Sequence, residues 1–255
     1  MNKKILNSGK EPKLIAITVV LLMVLSPMVA QAGNPNPGVL PVNSKSYGMT
    51  YGEWSAEFWK WEYSMPVDEH PLFDTADCSE GQSGNVWFLG GTFATTEQIP
   101  GEILGKVTRD CTLPPGKALF FPIVNVECST VEGNGQTEAE LRSCANYFAD
   151  FIVPEDLKAT LDNKPIVNLI DYRVESPLFT FGPLPDNNIL WEFGYTDAIP
   201  GATSLSVSDG VHLMLAPLPA GQHKLHYEGT INLSSIGGPK FIQDITYNLN
   251  VKSKS

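Results

Sequence analysis

Four cysteines standing downstream of an export signal constrain this fold more than any other feature of the sequence. Residues 1–13 carry Lys3, Lys4, Lys10 and Lys13 against one acid, Glu11. Leu14 to Leu25 is an apolar run whose only polar member is Thr18, and Ser26-Pro27 ends it. Ala30-Gln31-Ala32 then supplies the small-x-small pattern at which a signal peptidase cuts. A spanning helix needs about 20 apolar residues, more than this run offers. Residues 1–32 are therefore expected to be a cleaved signal, placing the mature protein in the periplasm or outside the cell.

Export settles how the cysteines are read. Cys78, Cys111, Cys128 and Cys144 all lie in the mature part, and an even number in an oxidising compartment implies two disulfides. Three pairings are open to four cysteines, and the sequential pairs, Cys78–Cys111 and Cys128–Cys144, are favoured. A metal site would call for the C-x-x-C spacing, which is absent.

The signal also takes bases with it. Without its four lysines and one glutamate, the chain's 17 bases and 28 acids become 13 and 27, a net charge of about −14. Such a surface repels phosphate backbones and anionic lipid, which argues against nucleic acid as a partner. Removal of the signal leaves no membrane span.

Along the mature chain, residues 33–46 are rich in Pro, Gly and Asn and read as an extended leader. Residues 47–255 read as one β-rich domain, because no linker divides them. Thr50 and Glu53 form a capping-box pair opening a helix over about 50–65, which Pro66 ends. On it Tyr51, Trp54, Phe58 and Trp61 share one face, Trp59 and Tyr63 flank it, and Glu53, Glu57, Lys60 and Ser64 lie opposite. Thr137 and Glu140 open a second helix over about 137–152, with Leu141, Cys144, Phe148 and Phe151 as its apolar stripe. Pro122 inside the apolar run from Ala118 to Val126 signals a bulge or an edge. A hairpin is expected to turn at Asp162-Asn163, and another from Val211 to Tyr227, in a register that puts His212 opposite His226. Many short strands between turn residues point to a β-sandwich or jelly-roll carrying two packed helices.

Three groups of residues bear on function. Trp54, Trp59, Trp61 and Tyr63 form an aromatic set able to stack on a sugar or an apolar ligand, or simply to pack the helix on a sheet. His212, His226 and Glu228, placed on one strand face by the expected hairpin, have the donor types of a zinc or copper site. Their simpler reading is two exposed histidines beside a carboxylate. Asp68, Glu69, Asp74, Asp77 and Glu80 surround Cys78, but without the spacing of a calcium loop. No nucleophile elbow, H-E-x-x-H, phosphate loop or dinucleotide glycine motif is present. Glu53 and Glu57 could be drawn as a glycosidase pair, yet 27 acids make some such pair a matter of chance. No catalytic residue and no cofactor are assigned.

The stretches YGEWSAEFWKWEYSMP (51–66), CSEGQSGNVWFLGG (78–91), RDCTLPPGKALFFPIVNVEC (109–128) and LAPLPAGQHKLHYEG (215–229) resemble a group of exported prokaryotic proteins. That group combines a Trp-rich segment near the mature N-terminus with a β-rich C-terminal part. The resemblance supports pairing Cys78 with Cys111 and implies no activity. The expectation is a disulfide-stabilised, non-enzymatic protein of the envelope or extracellular space. It would act by binding a glycan or another envelope protein, or as a matrix component. The alternatives are a hydrolase of extracellular polymer and a His-based metal-binding protein.

Overall fold

Both capping boxes close as their sequences dictate. In the computed structural model, which describes residues 36, 38–92 and 95–254, the Glu53 N–H donates to Thr50 Oγ1 at 3.2 Å and the Thr50 N–H donates to Glu53 Oε2 at 2.7 Å. This satisfies two of the free donors at a helix start and opens α1, Tyr51–Glu62. Thr137 and Glu140 do the same for α2, Glu138–Ala149. A short third helix, α3, spans Ile189–Glu192. Residues 1–32, the expected signal, lie outside the described residues. No helix among those described is long and apolar enough to cross a membrane.

The strands, in chain order, are β1 Val86–Phe88, β2 Thr95–Ile99, β3 Glu102–Leu113, β4 Ala118–Ser129, β5 Lys158–Leu161, β6 Lys164–Ile166, β7 Arg173–Glu175, β8 Phe179–Phe181, β9 Ser204–Leu215, β10 Gly221–Asn232 and β11 Lys240–Val251. One sheet runs β1-β4-β9-β7, with β8 also on β9, and the other runs β2-β3-β11-β10-β5-β6. The β1–β4 and β3–β11 pairs are parallel and the others antiparallel. Phe121 of β4 stacks on Tyr227 of β10 across the gap between the sheets, with ring centroids 5.1 Å apart. Phe120, one residue earlier, points to the other face and meets Tyr51 of α1. The first sheet is thus covered by helices on one face and by the second sheet on the other. That arrangement is why β4 and β9 are buried along most of their length without alternating. The architecture is a β-sandwich with packed helices.

Local signals behave as expected at two further points. The β4–β9 register shifts between Pro122, opposite His212, and Val124, opposite Val211, so Ile123 is the extra residue of a bulge. Asp162 and Asn163 both take positive φ, 52° and 62°, and turn the chain from β5 into β6. The described part of the leader runs along the first sheet, where Val39 bridges to Leu215.

The expected hairpin between Val211 and Tyr227 does not form. β9 pairs with β4, while β10 pairs with β11 and β5, so the turn at 216–220 carries the chain from one sheet to the other. The residues of β9 that the hairpin would have exposed, His212 and Met214, are buried.

Both disulfides join the sequential pairs. Cys78–Cys111 ties the acidic loop to β3, with Cα atoms 5.8 Å apart. Cys128–Cys144 ties β4 to α2 at 6.1 Å.

Candidate functional site

A cavity of about 670 Å³ lies between the sheets, where the end of α1, the second half of β4 and the facing strands β3, β10 and β11 converge. Its size falls in the range of small-molecule sites, about 300–1,000 Å³. Phe58, Trp59, Ile123, Phe148 and Ile231 give it apolar walls, and the half-exposed side chains of Ile103, Phe193 and Phe241 mark its mouth. Gly229 lets β10 approach two of the lining residues closely, since a Cβ there would fall 2.7 Å from Val124 and 3.0 Å from Ile123.

Three carboxyl groups line this space: Glu62, Glu127 and Glu132. Glu127 is enclosed in hydrogen bonds. Tyr63 Oη donates to its Oε2 at 2.8 Å, Ser206 Oγ donates to its Oε1, and Glu132 is bonded to it as well. Burial, and then the neighbouring Glu132, hold the Glu127 carboxyl well above the usual carboxylate range. Glu132 takes a hydrogen bond from Ser129 Oγ at 2.7 Å and is also bonded to the Tyr195 hydroxyl.

Glu62 differs. It is 2% exposed, and its carboxyl has no hydrogen-bond partner among the described residues. Its backbone carbonyl oxygen meets His70 Nε2 at 2.9 Å. Burial alone pushes the Glu62 carboxyl up to about 8, so it is mostly protonated at neutral pH. Trp59 Nε1 and Asn125 Nδ2, on two further lining residues, are also buried without a partner. Unpaired buried polar groups are uncommon in folded proteins; of four such atoms among the described residues, two belong to residues lining this cavity and two, Trp87 Nε1 and Asn146 Oδ1, lie away from it.

Of the four aromatic residues proposed for a ligand, Trp59 alone lines the cavity. Trp54 donates from Nε1 to the Ser46 carbonyl at 2.8 Å, and Trp61 packs on Phe58 and Phe88. Tyr63 packs on Phe181 and holds Glu127. Glu53 is spent on the cap of α1, and Glu57 pairs with Lys60 at 2.7 Å on the outer face.

The His212–His226–Glu228 set is not assembled, because the two histidines sit on different sheets. His212 is fully buried beneath α1 and stacks on Phe120. The Gly210 carbonyl can only accept, so His212 Nδ1 carries the proton given to it at 3.0 Å. Nε2 therefore accepts from Ser55 Oγ at 3.1 Å, and Ser55 in turn meets Ser208 Oγ at 2.9 Å. Burial lowers the His212 pKa to about 4, leaving it a neutral part of the core.

His226 and Glu228 stand on the outer face of the second sheet, where Asp244 completes a group of three potential ligand residues. His226 Nε2 lies 3.0 Å from Asp244 Oδ1 and 3.5 Å from Glu228 Oε1. Lys106 meets Asp244 at 2.6 Å and Lys158 meets Glu228 at 2.7 Å. Both carboxylates already hold a cationic partner, and a metal ion would have to displace two lysines.

Glu62 gave a usable signal in the sequence. At about 100° per residue it falls about 20° from Tyr51, a carboxyl in the middle of the aromatic stripe of α1. Glu127 and Glu132 gave none, since nothing local connects them to α1.

No protein-family model matches the chain, and no curated protein matches it. Among solved structures it is similar to a chain in "Structure of PbICP-C in complex with falcipain-2", at 12% identity, over 66% of this chain and 100% of that one. The TM-score is 0.23, and the overlap bears on neither fold nor function.

Proposed function

We propose that this is an exported, non-enzymatic binding protein that holds a small ligand with an apolar body in the cavity between its sheets. The unpartnered, buried carboxyl of Glu62 facing an aromatic-walled space carries this reading. Such a group costs about 1–3 kcal/mol when left unsatisfied, and a ligand's polar atom would offset that cost. The export signal and the two disulfides support a protein working outside the cytosol. The neutral fluorophore N-phenyl-1-naphthylamine, titrated into the purified protein, is expected to brighten at one saturable site. Ile231→Phe, which narrows the cavity, is expected to abolish that binding while leaving the protein folded. Unsaturable binding, or binding untouched by Ile231→Phe, would count against the reading.

Hydrolysis of an extracellular polymer is the second reading. Glu62 in its protonated state is what a general acid requires. Against it, Glu127 is tied to Tyr63, Ser206 and Glu132 and is held above the usual carboxylate range, so it is not free for the second carboxyl role. Release of reducing sugar from a soluble glycan, lost in Glu62→Gln, would favour hydrolysis over binding.

A further inference from the structure

We infer that the ligand is an organic cation, an apolar or aromatic body bearing one protonated amine, with Glu62 as its counter-ion. This rests on the binding reading above and names the chemistry of the ligand.

The electrostatic composition of the cavity points one way. Glu62, Glu127 and Glu132 line it, and no Lys, Arg or His is among the described lining residues. The protein's own partners account for two of these carboxyls and leave Glu62 free to meet a charge. Phe58, Trp59 and Tyr195 add ring faces to the lining, and a cation within about 6 Å of such a face gains further attraction once desolvated. A net charge of −11 for the whole chain draws cations toward the protein and repels anions. A carboxylate-bearing ligand would instead meet three acids and no base.

The remaining groups around Glu62 do not supply the missing charge. Tyr63 and Tyr227 are buried and held well above the usual phenol range, so both are neutral. His70 is kept below its ordinary value by burial and is bonded to the Glu62 backbone. Arg109 is committed to Asp74 at 2.6 Å and to Tyr247 at 3.0 Å.

Binding an ammonium beside a protonated Glu62 must release that proton to the solvent. Affinity for an amine should therefore climb with pH until Glu62 is ionised without help, at about 8. A neutral ligand of the same shape should show no such climb.

The test compares 1-naphthylmethylamine, protonated at neutral pH, with its neutral isostere 1-naphthylmethanol, by titration calorimetry on the purified protein. The amine is expected to bind on the order of tenfold more tightly at neutral pH, with its affinity rising up to about tenfold per unit between pH 6 and 7.5. Buffers of different ionisation heat should report close to one proton released. Glu62→Gln keeps the shape, carries no charge and should fold, because Glu62 is itself protonated in the unliganded protein. It is expected to cut the amine's affinity about tenfold and leave the alcohol's within about twofold. If the alcohol binds as tightly as the amine, or the amine's affinity does not change with pH, the cationic assignment is wrong and the cavity reading stands. If neither compound binds, and N-phenyl-1-naphthylamine does not either, both fall together.

Discussion

Two groups of acidic side chains in this protein have similar composition and opposite physics. On the outer face of the second sheet, Glu228 and Asp244 flank His226, and each carboxylate is met by a lysine. Partial burial pushes the Asp244 carboxyl up, but Lys106 and His226 outweigh it and hold it below its usual value. In the cavity, Glu62 and Glu127 are buried, no base lines the walls, and both carboxyls are pushed up instead. The outer group is charged and satisfied by its neighbours, while the inner group is kept neutral and Glu62 has no neighbour to bond. A ligand has a physical reason to enter only the second.

The largest expected consequence is in the pH dependence of stability. Glu62 has its folded pKa raised from 4.5 to about 8, so the folded state holds a proton that the unfolded state has lost across that interval. Stability is therefore full below about pH 4.5, falls as pH rises and levels off above about pH 8. At about 1.4 kcal/mol per unit, the whole loss from this group is on the order of 5 kcal/mol. Urea unfolding across that range should show a steeper decline in the native protein than in Glu62→Gln, which keeps the contribution of Glu127. A native profile as flat as that of Glu62→Gln would mean that Glu62 is not held neutral and would dissolve the contrast between the groups.

The next effect concerns the cavity wall. Cys128 lines the cavity, and its bridge to Cys144 closes a 16-residue separation and fixes α2, which contributes Phe148. Replacing both cysteines by Ala should cost about 3 kcal/mol and loosen binding of the neutral fluorophore, as unfolding and titration would show. The outer carboxylates owe nothing to that bridge, so their salt dependence should be unaltered in this variant.

The smallest effects belong to the outer face. Glu228→Gln and Asp244→Asn should each cost about 0.2–1 kcal/mol, the value of partly exposed ion pairs, and the cost should shrink in high salt. Asp244's contribution is present above its unfolded pKa of 3.8 and is lost as pH falls through its lower folded value, the reverse of the Glu62 behaviour. Chemical unfolding of both variants at low and high salt checks this. A salt-insensitive loss of several kcal/mol would show that the outer group is desolvated like the inner one.

Features set by neighbouring residues are legible in this sequence. The two helices follow from T-x-x-E pairs, the bulge from Pro122 and the hairpin turn from Asp162-Asn163, because each depends on contacts within a few residues. The hairpin between Val211 and Tyr227 failed for the complementary reason. Alternation in Val211–Leu215 fixes which side chains share a face but not what covers that face, and in β9 the polar-looking face lies under α1.

The sequence by itself determined the elements, their caps, the acidic balance and, through the expected export signal, the expectation of two bridges. Only the tertiary structure decided which sheet each strand joins, that His212 would be buried and His226 only partly so, and that Glu62, Glu127 and Glu132 would line one cavity. The physical reason is range. Capping, turn and pleat preferences act over a few residues, whereas a carboxyl's pKa and partners depend on which distant strand lies across from it and how much water is left between them.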